Sequence, residues 1–201
     1  MLDFIHALEK LKCETRHSYK SNNSPETVVE HCWRVSMLLL LFKDRYPLLD
    51  INKCIKMALI HDLPEIITGD AYKLDPVKQA EIKNDEKTAM KKLVEMLPPN
   101  VGNEIMSLWL EFEEMKTDEA RLVNLIDRLE VLIQHNETDI SNWNNLEKNI
   151  HYGLASRHAR KYDYLSDFAS EVDNETGEKM LKAGLKPEII SLQDYEKYYG
   201  T

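Results

Sequence analysis

Glycine is scarce, with six in 201 residues, and apolar and polar residues rarely alternate for more than a few positions. The chain therefore lacks the ordinary signature of a sheet protein. Cysteine is also sparse: Cys13, Cys32 and Cys54 are an odd number with no paired spacing, which excludes a disulfide framework and implies reduced thiols in a cytoplasmic protein. No apolar run approaches the ~18 to 20 residues that span a bilayer. The longest stretch, Val35 to Phe42, stops at Lys43-Asp44-Arg45, and Asp3, Glu9 and Lys10 interrupt the N-terminal segment where a signal peptide would be apolar. Positive charge is the minority, 26 Lys and Arg against 35 Asp and Glu, and a net charge of -9 argues against a nucleic-acid polymer as partner. No internal repeat is evident, and no membrane contact is expected.

What is present is helical periodicity. The 43% hydrophobic fraction suits a globular chain with one sizeable core. Helices are expected over about 2–14, 25–45, 51–62, 76–97, 101–114, 118–137 and 143–169, with end errors of a few residues. Pro98-Pro99 separates two of them, and Asp118-Glu119 opens another with charge that suits a helix N-terminus. The expected fold is an all-α, single-domain helical bundle over 1–170, with 171–201 as a C-terminal extension packed on it or at a dimer contact.

Three of these helical stripes carry hydration-loving residues where apolar ones belong. Val28, His31, Val35, Leu38 and Phe42 recur at steps of three and four, so His31 faces inward. Met57, Ala58 and His61 share a second stripe, with Asp62 following. Ala120, Val123, Asp127 and Val131 form a third, which puts a carboxylate in the middle of a dry face. Taken singly, an inward His is more often a hydrogen-bonded core residue than a ligand. The ordered set requires one explanation in common, since a buried carboxylate needs a cation or several donors. Two imidazoles and two carboxylates suit one divalent ion, with Mn, Co, Zn, Fe, Ni and Mg all open, and leave room for water and substrate. Cys32 adjoins His31 but points about 100° away by helical period, as a small packing residue would.

The strings ETVVEHCWRV (26–35), ALIHDLPEIITGD (58–70) and TDEARLVNLIDRLEVLIQ (117–134) resemble the HD-domain hydrolases, and within them the 5'-deoxynucleotidase branch. The resemblance covers about residues 1 to 135. It implies one divalent metal on His31, His61, Asp62 and Asp127, with the catalytic acid at Glu65 and a pocket carboxylate at Asp70. The stretch LEKLKCETRHS (8–18) is similar to the segment that supplies a phosphate-binding Arg, which falls on Arg16. A guanidinium fork matches phosphate oxygens. The chain departs from its relatives where His17 stands in place of a sugar-side Trp and Asn124 in place of Lys.

Glu65 has a physical argument of its own. It follows His61 by four residues and Asp62 by three, so a continuing turn brings it to the metal side. Pro64 restarts the helix there and is acceptable as a first-turn residue. Its alternative is a solvated helix-start carboxylate favoured by the dipole. These readings imply hydrolysis of (deoxy)nucleoside 5'-monophosphates, with Arg16, His17, Glu65 and Asp70 against substrate and a homodimer as the assembly. Two alternatives remain: an HD phosphohydrolase for another nucleotide or small phosphate ester, and a catalytically silent metal- or nucleotide-binding module. Trp109 is expected between helices, and His135, His151 and His158 as structural or surface residues.

Overall fold

The computed structural model describes residues 1–70, 76–162 and 165–199, with side chains described outside 71–84, 163–164 and 198–201. Its contacts divide the chain into two compact units, the first of Met1–His17 and Glu26–Ile126, the second of Ser18–Pro25 and Asp127–Thr201. Among the described residues the fold is all-α apart from one two-stranded sheet.

Unit 1 contains α1 (Leu2–Cys13), α2 (Val28–Leu41), α3 (Ile51–Ile60), the single turn α4 (Glu65–Thr68), α5 (Pro76–Val94), α6 (Pro99–Glu114) and the opening of α7 (Asp118–Glu137). Strands β1 (Thr15–Tyr19) and β2 (Pro25–Thr27), which carry the chain across the boundary between the units, pair with each other, and β2 leads directly into α2. Helix α2 packs on α3, and α1, α4, α5 and α6 close around a core of Phe4, Leu11, Val28, Leu63, Ile66, Met90, Leu93 and Trp109. Gly102 lets α5 and α6 approach, since a Cβ there would stand 2.8 Å from the Val94 carbonyl oxygen.

The helix expected from 25 begins instead at Val28. Thr27 is extended and forms a capping box: its hydroxyl accepts from the Glu30 N–H at 3.3 Å, and the Glu30 carboxylate accepts from the Thr27 N–H at 2.8 Å. Pro25 to Thr27 is thereby left to strand pairing. The same helix ends at Leu41 rather than 45, where a tight turn over Lys43–Arg45 precedes Pro47.

Unit 2 holds Asp127–Glu137 of α7, then α8 (Asn145–Ile150), α9 (Leu154–Ala159), α10 (Ser166–Lys182) and α11 (Leu192–Tyr199). The single helix expected over 143–169 is three helices. Gly153 takes a left-handed backbone at φ 80°, and the N-terminus of α9 is held by a carboxylate far along the chain, Asp173, which accepts from Ala155 N–H at 3.0 Å and Ser156 N–H at 2.9 Å. Helix α10 runs unbroken through position 170 and contributes Ala169, Val172 and Met180 to the core. Among the described residues no helix is long and apolar enough to cross a membrane.

Of the three histidines expected as structural or surface groups, His135 and His151 are buried in unit 2 and His158 is half-buried there. His135 donates Nδ1–H to the Val131 carbonyl at 2.7 Å and presents Nε2 to the buried Glu147 at 3.5 Å. His151 packs edge-on against it, with ring centroids 4.6 Å apart. His158 lies near Arg128 and Tyr195, and burial together with the Arg128 charge pushes its pKa down to about 3. The ring is thus neutral when folded and takes up a proton on unfolding as pH falls below its ordinary value near 6.5. The depressed value contributes stability that is complete above pH 6.5 and lost on acidification toward pH 3, by up to about 1.4 kcal/mol per pH unit. Urea midpoints at pH 7.5 and 5.5 are expected to fall further for the native chain than for His158→Leu; parallel shifts would remove His158 from the acid sensitivity.

Candidate metal centre

Within unit 1, α2 and α3 bring His31 and His61 together. Both are buried, with ring centroids 5.6 Å apart. His61 caps the C-terminus of α3, and its Nδ1 lies 2.8 Å from the Ala58 carbonyl oxygen. A carbonyl only accepts, so Nδ1 carries the proton and Nε2 the lone pair of the neutral ring. That Nε2 is 3.2 Å from Asp62 Oδ2, and His31 Nε2 approaches the same oxygen at 3.9 Å. Two ring nitrogens converging on one carboxylate oxygen create a seat for a proton or a metal cation. Burial alone would lower the His61 pKa, yet the Asp62 carboxylate outweighs it and holds the imidazole well above its ordinary value.

Outer contacts fix these side chains. The Trp109 indole N–H donates to the His61 carbonyl at 3.2 Å, and Phe112 meets the His61 ring edge-on at 5.3 Å. The expected placement of Trp109 between helices therefore acquires a specific purpose. Cys32 stands nearer than helical period implied, with Sγ 3.9 Å from His61 Nδ1 and 4.0 Å from an Asp62 oxygen. It faces the nitrogen already committed to Ala58, and burial raises its thiol pKa, so Cys32 packs as a protonated neighbour and not as a ligand.

Glu65 opens α4 and is buried at 6% exposure, which disfavours a solvated helix-start role. Its N–H donates to the Asp62 carbonyl at 3.1 Å, and Pro64 takes a helical φ of -54°, so the doublet and the acid share one tight turn. Gly69 then leaves the helix at φ 74°, and the Asp70 N–H donates to Glu14 Oε1 at 3.0 Å. Asp70 is half-buried and anchored by its backbone.

Alternating burial along β1 turns Arg16 inward and His17 outward. Arg16 Nε lies 3.3 Å from Glu26 Oε2, and Nη1 lies 3.5 Å from Asp62 Oδ2. His17 is exposed on the opposite face and is not brought into this charge cluster. Asn124 is half-buried on α7. In unit 2, Asp127 is buried on α7 and Glu130, one turn later on the same helix, is fully buried.

Glu26 and Glu130 were missed by sequence reasoning. Glu130 had a signal, its three-residue spacing from Asp127. Glu26 had less, because a strand of three residues is too short to show alternation.

The HD domain model matches residues 8–166. The chain belongs to the HD domain family. Among its relatives, the 5'-deoxynucleotidase HDDC2 of Danio rerio is 38% identical over 141 residues, covering 68% of each chain. The 5'-deoxynucleotidase HDDC2 of Homo sapiens is 31% identical over 139 residues, covering 68% of this chain and 67% of its own. A predicted metal-dependent phosphohydrolase from Magnetospirillum magnetotacticum MS-1 has a similar structure, with a TM-score of 0.73 and 25% identity, covering 92% of this chain and 96% of that one. The HD family match spans the whole region in which the His-Asp doublet, Arg16 and Glu65 are assembled.

Proposed function

We propose that this HD family chain is a metal-dependent phosphomonoester hydrolase that removes the 5'-phosphate from deoxynucleoside monophosphates. The observation that carries the reading is the convergence of the His31 and His61 Nε2 atoms on Asp62 Oδ2, with the Arg16 guanidinium on the same carboxylate. Similarity to several 5'-deoxynucleotidases supports the substrate class.

His31, His61 and Asp62, completed by Asp127, are the proposed ligands of one divalent ion. Imidazole with carboxylate fits Mn, Co, Zn, Fe, Ni or Mg. When bound, the ion supplies Lewis-acid polarisation of the phosphoryl group and makes water more acidic. Glu65 handles the proton, orienting the attacking water or protonating the departing 5' oxygen. Arg16 neutralises charge that develops on the phosphoryl oxygens. Asp70 adds a carboxylate at the pocket wall, and the Glu14 hydrogen bond to its N–H fixes where that carboxylate can reach. His17 is proposed on the sugar side on the strength of the family resemblance alone, since β1 turns it to the face opposite Arg16.

The test is phosphate release from a panel of deoxy and ribo 5'-monophosphates, after metal removal and restoration with manganese, cobalt, zinc or magnesium. Metal-dependent release led by the deoxy substrates is the expected result. Release from other esters only would favour a different HD phosphohydrolase, and metal binding without any release would favour a binding module.

The cytoplasm is the proposed location, consistent with three free thiols. We take 1–170 as the hydrolase region and 171–201 as its C-terminal extension. The proposed assembly is a homodimer through the outer face of α2, where Val29, Trp33, Met37, Leu40 and Leu41 are exposed and Trp33 retains 62% of its surface. An antiparallel two-fold pairing centred on Trp33 would set Val29 level with Met37 of the partner subunit, so the apolar positions are self-complementary. Sedimentation at micromolar concentration is expected to show dimers that Trp33→Glu converts to monomers. A monomeric native chain would reject the assembly.

A further inference from the structure

We propose that Glu26 is a positioning residue that aims Arg16 at the phosphate. The inference rests on the phosphate role of Arg16 given above and adds a second residue to it. Burial along β1 and β2 turns Arg16 and Glu26 inward. Both side chains are nearly sealed, at 4% and 3% exposure, and Glu26 Oε2 lies 3.3 Å from Arg16 Nε.

The division of the guanidinium carries the argument. Its Nε edge faces Glu26 at 3.3 Å, while Nη1 lies 3.5 Å from Asp62 Oδ2. That Asp62 oxygen also lies 3.2 Å from His61 Nε2 and 3.9 Å from His31 Nε2, so its charge is shared among three groups. A phosphoryl dianion competes with Asp62 for the Nη side of the fork. Without Glu26, the same dianion would meet an Arg16 that has lost the carboxylate beside its Nε edge. Glu26 therefore fixes which edge of the planar fork is offered to substrate, and bidentate recognition depends on that orientation.

A purely structural ion pair would also be buried here, and the two readings separate by experiment. Glu26→Ala is expected to raise KM for a deoxynucleoside monophosphate, and to weaken competitive inhibition by inorganic phosphate, by about 10- to 100-fold, as loss of an orienting partner does. The change in kcat is expected to be smaller. Glu26→Gln keeps an oxygen beside Nε and is expected to recover most of the loss, leaving KM severalfold above native. Metal content should be native in both variants, and urea midpoints identify the folded proteins.

The decisive comparison is the double-mutant cycle with Arg16→Ala. If Glu26 acts through Arg16, either Glu26 substitution changes KM and phosphate inhibition little in the Arg16→Ala background. If Arg16→Ala raises KM but the Glu26 effects persist undiminished beside it, Glu26 is not a positioning residue while Arg16 keeps its role. If Arg16→Ala leaves KM and phosphate inhibition unchanged, the Arg16 reading itself fails. Should Glu26→Ala not fold, the Glu26→Gln cycle decides alone: a KM rise that vanishes with Arg16→Ala supports the proposal, and no rise, or an equal rise in both backgrounds, overturns it.

Discussion

Glu65→Gln is expected to keep its metal and its fold while losing phosphate release by about 10²- to 10⁴-fold, the usual contribution of a positioned general acid or base. Gln matches the shape of Glu, so packing around a side chain with 6% exposure is preserved. What it cannot do is exchange a proton. The backbone that delivers the carboxylate is unaffected, because the Glu65 N–H to Asp62 carbonyl bond and the Pro64 turn involve no side-chain atom of Glu65. The loss should fall on kcat, and the limb of the pH–rate profile that reports Glu65 should disappear. Full turnover by a metal-loaded Glu65→Gln protein would remove Glu65 from the chemistry.

Asp127→Ala and His61→Ala are expected to lose bound metal together with activity, by more than about 100-fold, since outer-shell substitutions alone cost 10- to 100-fold. Metal analysis after desalting, with circular dichroism to check folding, measures both effects. Acid should mimic His61→Ala. The Asp62 carboxylate holds the His61 pKa well above its ordinary value, so protons persist on the ring to higher pH than on a free imidazole. Metal affinity is expected to rise with pH as that proton is displaced. Retention of stoichiometric metal and full turnover by Asp127→Ala would exclude this carboxylate from the ligand set.

The site was legible in the sequence where one helix carried its own evidence. His31 and Asp127 interrupt apolar stripes whose period can be counted, and both are buried on the helices expected for them. The start of α2 was legible too, because Thr27 and Glu30 have capping-box spacing, but helical periodicity extended through Pro25 and obscured it. The breaks after residue 150 were not readable locally. Asp173, which caps α9, lies 17 and 18 residues beyond the N–H groups it serves. Cys32 shows the same limit: angular separation on one helix could not reveal that α3 would bring His61 within 3.9 Å of its sulfur.

The hydrogen bond between the Trp109 indole and the His61 carbonyl also has a spectroscopic meaning. An indole's emission depends on the polarity of the groups around it, and this one is bound to the backbone of the His-Asp doublet. Of the three tryptophans, Trp33 is exposed and Trp143 lies in the core of unit 2, so selective substitution of those two leaves one intrinsic fluorophore. The protein thus carries its own optical gauge, able to follow events at the doublet without an added label.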